Sequence, residues 1–168
     1  FPVPFDALRA RILFETLEPG RAYAIDGLTV SMVPQYHSHT SYGYRFEKDG
    51  RAVCFSTDAE HRLDDMADEQ AFRDFFRGAD LVVADTMYSL EDSVTLKADW
   101  GHSSAAIVVD LCHGAGARRL ALFHHEPTCD DEAIRHMHRE AIAYEAAQRG
   151  ARPALDVLCA YDGLEIEV

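Results

Sequence analysis

The chain has 168 residues, of which 48% are hydrophobic, so it is long enough to bury a core of its own. Its 29 acidic and 16 basic residues give a formal net charge of −13, which repels phosphate backbones and disfavours broad nucleic-acid binding. No apolar run approaches the roughly 18 residues that span a bilayer, and no signal-peptide pattern is visible. Four scattered cysteines, none in a CxxC pair, favour buried free thiols in a reducing cytoplasm.

The first sixty residues have the patterns of β-strands. Short runs of β-branched and aromatic residues alternate with glycine-containing turns, and the Asp49-Gly50 pair predicts a hairpin. The predicted strands cover residues 10–18, 21–27, 28–34, 41–50 and 51–57.

The pattern then changes to alternating strands and helices. Amphipathic periodicity, polar residues at the start and glycine at the end predict helices over 66–78, 103–116 and 130–149. Apolar runs predict buried strands over 79–86 and 118–125, and two closing strands over 154–160 and 163–168. The predicted fold class is therefore α/β, with a β-meander followed by β-α-β-α-β, as one domain or part of one over residues 1–168.

Polar side chains stand where several of these strands end: His37, Asp58, Asp85 and His124. A rigid sheet can hold ligands at such positions while the loops shape a pocket. Two histidines and an aspartate from separate strand ends suit zinc or a similar ion. Because the chain has nine histidines, chance placement near strand ends is an alternative. His102 precedes a predicted helix start, where it could face a cleft or merely pack at the turn.

Four further residues near these positions are candidates for weaker roles. Glu60 and His61 could line the mouth of a cleft, and Trp100 could pack under the loop that leads to His102. His39 could reach a position near a substrate or belong to a solvated loop.

Taken in order, these motifs resemble the second half of the metallo-β-lactamase superfamily, most closely its ribonuclease Z and phosphodiesterase-like branch. The likeness runs from about residue 12 onwards. It rests on the motifs H-x5-GYR, STD, ADLVVADTMY, GHSS and LALFHH-x-P, in that order. The implied fold is the C-terminal half of an αββα sandwich.

The resemblance implies roles for five residues. His37 and His124 would each bind one of two divalent ions, zinc or manganese, and Asp58 would bridge the two ions. His102 would contact or protonate the scissile phosphate. Asp85 would orient His102. On this reading the catalytic residues are His102, Asp85 and Asp58, and the metal ligands are His37, Asp58 and His124.

The superfamily's first metal motif, HxHxDH, has no counterpart in the chain. Three ligands divided between two ions would bind each ion poorly, because a catalytic zinc usually takes three protein ligands. The chain starts at Phe1 rather than Met, so we expect an N-terminal half, on the same precursor or on a separate chain, to complete the site.

The expected activity is hydrolysis of a small phosphodiester by a cytoplasmic enzyme with a binuclear metal centre. A nucleic acid is the less favoured substrate, and no membrane partner is expected. The alternative is a non-catalytic interaction or sensory module on a degenerate half-fold. The apolar face of a lone half would then invite a partner chain or self-association into a homo-oligomer.

Overall fold

The computed structural model of the chain describes residues 3–62, 65–95, 97 and 99–168, without the side chains of Asp6 and Val94. One seven-stranded sheet runs through it with its strands in sequence order. The strands are β1 (Ala22–Ile25), β2 (Leu28–Gln35), β3 (Ser41–Lys48), β4 (Arg51–Ser56), β5 (Leu81–Asp85), β6 (Arg119–Phe123) and β7 (Asp156–Cys159). The helices are α1 (Met66–Phe75), α2 (Leu90–Val94), α3 (Ala105–Ala115) and α4 (Asp131–Gln148), after a 3-10 turn at Phe5–Ala7.

The sheet changes from antiparallel to parallel at β4. The pairs from β1 to β4 are antiparallel, and those from β4 to β7 are parallel, with helices in the connections. Two-residue turns join β1 to β2 and β3 to β4. Asp26-Gly27 and Asp49-Gly50 both have positive φ at each residue, which matches the twist of the flanking strands. The predicted α/β class, with a meander followed by alternating elements, is confirmed.

The three predicted helices form as α1, α3 and α4, and each has a local stop or start signal. The side chains of Asp65, Ser104 and Asp130 cap their first backbone N–H groups. The structure adds α2, which Ser89 caps through the Asp92 N–H. None of the described helices combines the length and apolar character needed to cross a membrane.

Two of the predicted strands are wrong. Residues 10–18 and 163–168 carry apolar side chains in β-type patterns, but they form no strand in the structure. Neither segment pairs with another strand within the described residues. A strand is stabilised by its neighbour across the ladder, so an apolar pattern alone does not create one.

The helices pack on one face of the sheet. The row Cys54, Val82, Leu120 and Val157 runs across four strands on this face and is nearly inaccessible to solvent. This row forms one core with Phe72 of α1 and Phe76 at its C-cap, with Val108 and Cys112 of α3, and with Ala141 of α4. This core fixes the parallel strands and therefore the positions of the residues that follow them.

The opposite face of the sheet is also apolar. A second row crosses six strands in register and consists of Met32, Tyr44, Phe55, Val83, Ala121 and Leu158. No member of this row belongs to the helix-side core. Tyr44, Phe55, Val83 and Leu158 remain partly exposed. The chain thus presents a hydrophobic sheet surface on the side away from its helices.

Candidate metal centre

The carboxyl ends of β4, β5 and β6 meet at one edge of the sheet, because the three strands are parallel neighbours. Asp58 lies just beyond β4, Asp85 is the last residue of β5, and His124 directly follows β6. Together with His102 they form a group whose potential ligand atoms all lie within 4.8 Å of one another. Oxygen and imidazole donors at such spacing can hold a divalent metal ion.

Asp58 and His124 face each other across this edge. The His124 Nε2 atom lies 3.1 Å from Asp58 Oδ1, and the two side chains are 32% and 44% exposed. Both residues have a left-handed backbone, with φ of 52° for Asp58 and 60° for His124. Such a backbone is uncommon for residues other than glycine and clusters at functional sites. This conformation turns the backbone away from the direction of the preceding strand at both residues.

Asp85 is the completely buried member of the group. Its Oδ2 atom is 2.6 Å from His102 Nδ1 and accepts a hydrogen bond from the Ala59 N–H, while its Oδ1 accepts from the Met87 N–H. Burial raises the pKa of the Asp85 carboxyl, and the hydrogen bond and charge of His102 act in the opposite direction. The carboxyl is therefore held by three protein contacts and is suited to orient His102.

His102 is surrounded by rings at the start of α3. It stacks on His124 with ring centroids 5.0 Å apart and meets His37 edge-on at 4.9 Å and Tyr88 at 5.6 Å. Its Nδ1 atom is held by Asp85, so the Nε2 atom is left for a ligand or substrate. The helix start behind it is fixed by the Ser104 cap.

His37 reaches the same region from β2. Its Nδ1 atom lies 2.9 Å from the Gly101 carbonyl oxygen. A carbonyl oxygen only accepts, so Nδ1 is the protonated nitrogen and Nε2 keeps the lone pair that a metal ion needs. His37 is not among the four residues of the tight group, although its ring touches that of His102. The structure thus brings together all five residues selected from the sequence, with His37 at the margin.

The donor set fits a metal centre on chemical grounds. Imidazole nitrogens and a carboxylate open to solvent are ligands that zinc and related ions take. The second nitrogen of His37 is bonded to a backbone carbonyl, a pattern that metal-binding histidines usually show. His37, Asp58 and His124 would hold the ions.

The weaker candidates turn out differently. His61 does not line a cleft: it is 4% exposed and packs edge-on against Phe72. Trp100 does not pack under its loop, since it is 59% exposed. His39 is exposed in a loop, as one of its two interpretations had it. Glu60 is buried behind the site, and its carboxylate accepts from the backbone N–H groups of residues 99 and 101.

The matched family is described as the beta-lactamase superfamily domain, and it covers residues 2–125. The chain belongs to this superfamily. The predicted superfamily membership is therefore confirmed. No curated protein matches the chain by sequence.

Solved structures of this superfamily fold resemble the chain at low sequence identity. The metallo-beta-lactamase fold protein YhfI from Bacillus subtilis is 17% identical, with a TM-score of 0.67 over 88% of this chain and 52% of its own. A diphosphatase from the PhnP family is 21% identical, with a TM-score of 0.62 over 98% of this chain and 52% of its own. The short form of human tRNase Z is 16% identical, with a TM-score of 0.57 over 86% of this chain and 45% of its own. The chain spans about half the length of each of these proteins.

Proposed function

We propose that this superfamily chain is the C-terminal part of a metal-dependent hydrolase that cleaves a small phosphodiester with two divalent ions, most simply zinc. The observation that carries the proposal is the contact of 2.6 Å between the buried Asp85 carboxyl and His102, beside Asp58 and His124. A histidine steered by a buried acid next to a candidate metal site is an arrangement for proton transfer, rather than for packing alone.

The residues of the chain would divide the work as follows. Two ions held at this edge would lower the pKa of a bound water to about 7 and clamp the attacked phosphoryl group. Asp58, which lies beside His124, would orient the nucleophile. His102 would stabilise the developing negative charge or protonate the leaving oxygen through Nε2. Asp85 would hold the His102 Nδ1 proton and stabilise the imidazolium that this role requires.

The substrate class follows from charge and from the fold's solved members. A diphosphatase and a tRNase are named among them, which favours phosphate chemistry over a lactam or a thioester. The net charge of −13 disfavours a bulky polyanion such as tRNA. We therefore infer a small phosphodiester, such as a cyclic nucleotide, and a cytoplasmic setting consistent with free thiols at Cys54 and Cys112.

An N-terminal half of the same fold is the proposed partner, on the same precursor or on another chain. Three ligands for two ions leave each ion short, so an HxHxDH motif would supply the remainder. The apolar row on the open face of the sheet is a surface that a second sheet could cover, as sheets pack about 10 Å apart through their inner faces.

The test uses the protein with that half present. We expect about two equivalents of zinc or manganese by elemental analysis and hydrolysis of bis(p-nitrophenyl) phosphate. Asp58→Ala should abolish hydrolysis, and His102→Ala should lower kcat by about 10²–10⁴-fold. His136→Ala is the matched control, because His136 lies exposed on α4, where it pairs with Glu140 and is remote in the chain from the residues assigned to the site. Metal-free, inactive and stable protein would refute the proposal and favour a non-catalytic module.

A further inference from the structure

We propose that Glu60 is a positioning residue that sets the orientation and tautomer of His37 through the backbone of Gly101. The inference deepens the proposed function, since it rests on His37 being a metal ligand. Glu60 lies two residues beyond Asp58 and is 8% exposed, which is unusual for a carboxylate that pairs with no basic side chain in the hydrogen bonds of the described residues.

A closed circuit of hydrogen bonds connects Glu60 to His37. The Glu60 N–H donates to the Tyr36 carbonyl at 2.9 Å, immediately before His37. The Gly101 N–H donates to Glu60 Oε2 at 2.8 Å. The Gly101 carbonyl then accepts from His37 Nδ1 at 2.9 Å. One residue thus fixes the histidine both through its main chain and through its ring.

The carboxylate is matched to this task because it receives two backbone donors. Its Oε1 accepts from the Asp99 N–H at 3.0 Å while Oε2 accepts from Gly101. An amide in its place offers one acceptor and turns its NH₂ group towards the second N–H donor. An aspartate keeps the charge but is about 1.5 Å shorter and cannot span the same distance.

Position 101, which links Glu60 to His37, requires glycine. Its φ of +89° belongs to a region that side chains other than glycine rarely adopt. A Cβ at this position would overlap the His37 ring. The close approach that brings the carbonyl to Nδ1 therefore depends on glycine, and the Glu60 carboxylate holds the glycine in this pose.

The consequence is a specific effect on one ion. With Nδ1 protonated and fixed, Nε2 of His37 is presented with its lone pair free. Without Glu60, the loop at residues 99–101 loses both anchors on that carboxylate, and His37 can turn or exchange tautomers. His124 depends on other contacts, those with Asp58 and Thr57, and should keep its ion.

The experiment compares Glu60→Gln and Glu60→Asp with wild-type protein that includes the N-terminal half. Zinc affinity is measured stepwise by competition with a chromophoric chelator. Tautomers are read in the metal-free protein from nitrogen-15 NMR of the histidine rings, with His37 assigned by a His37→Gln variant. Glu126→Gln is the matched control, because Glu126 binds the same loop through Lys97 and has no hydrogen bond to Gly101 among the described residues.

We expect both Glu60 variants to weaken one zinc site by about 10–100-fold and to lose the single Nδ1–H tautomer of His37, while Glu126→Gln changes neither. Wild-type affinity and tautomer in both variants would overturn the proposal. An aspartate variant that behaves as wild type would also overturn the proposal, since a negative charge would then be enough without the reach of the glutamate side chain. If the glutamine variant does not fold, the aspartate variant decides. A protein that binds neither zinc nor manganese refutes the proposed function, yet the tautomer measurement still tests Glu60.

Discussion

His61 is a histidine enclosed in the core without a hydrogen-bond partner for either ring nitrogen among the described residues. Its ring packs edge-on against Phe72, with centroids 4.3 Å apart, and lies near Phe76. Burial lowers the pKa of His61 to about 4. The side chain is therefore neutral in the folded protein and takes up a proton when the chain unfolds below pH 6.5. We predict that His61→Leu stabilises the protein, and more so in acid.

Proton binding fixes the direction and size of the acid effect. Between pH 4 and 6.5 the unfolded chain holds more protons at this residue than the folded one, so the free energy of unfolding falls as pH is lowered through that window. With a folded pKa of about 4 against 6.5 when unfolded, His61 costs about 2 kcal/mol more at pH 4.5 than at pH 7. At pH 7, removing two unpaired buried atoms favours leucine by about 1–3 kcal/mol. Losing the ring contact offsets about 1 kcal/mol of that gain.

The assay is urea unfolding of wild type and His61→Leu at pH 7 and pH 4.5, followed by circular dichroism. The advantage of the leucine variant should grow by about 2 kcal/mol between the two pH values. His136→Leu is the control, since that histidine is exposed and should show no such growth. If both proteins lose the same free energy on acidification, the buried neutral state assigned to His61 is wrong.

Two further predictions concern the acid of the site and the thiols. Asp85→Asn should lower the hydrolysis rate at least about 100-fold, because an amide NH₂ would face the Nδ1 proton of His102, and steady-state kinetics at equal zinc loading would check this. An unchanged kcat would contradict that role. Burial raises the pKa of Cys54 to about 11 and also raises that of Cys112, so iodoacetamide at pH 8 should modify Cys129 first, as followed by mass spectrometry. Early labelling of Cys54 would contradict its enclosure.

The helices could be predicted because their signals are local. Ser104 and Gly116 mark the two ends of α3 in the sequence, and in the structure they are the N-cap and a left-handed C-cap with φ of 66°. Helix α2 was missed although Ser89 and Asp92 have the spacing of a cap. With five residues, it contains too few positions to show a helical period.

Strands could be predicted only where a partner exists. Residues 41–50 and 51–57 meet at the Asp49-Gly50 turn, which forces them to pair, and they appear as β3 and β4. Residues 10–18 and 163–168 have patterns of the same kind but no neighbour across a ladder in the described chain. Whether a strand forms depends on pairing between distant segments, which a local pattern does not contain.

The site also combines features that the sequence predicts with features that depend on tertiary contacts. That Asp58 and His124 would converge could be expected from strand ends at one edge of a parallel sheet. The opposite directions in which the Glu60 and His61 side chains point could not be predicted, because the segment after β4 is irregular and has no periodic pattern. One side chain turns to the backbone of Gly101 and the other to the ring of Phe72. A hydrogen bond to a main-chain N–H leaves no mark on the sequence of its partner.

His37, Asp58 and His124 follow β2, β4 and β6, so they lie far apart along the chain and on both the antiparallel and the parallel part of the sheet. The ions held by these three residues would together act as a cross-link that closes long loops in the chain, and bringing the ends of such loops together has an entropic cost that metal binding would offset in the folded state. Metal binding would thus link the antiparallel strands to the helix-covered parallel strands. Removing the ions with a chelator would lower the unfolding midpoint of the whole sheet, rather than loosen a single loop.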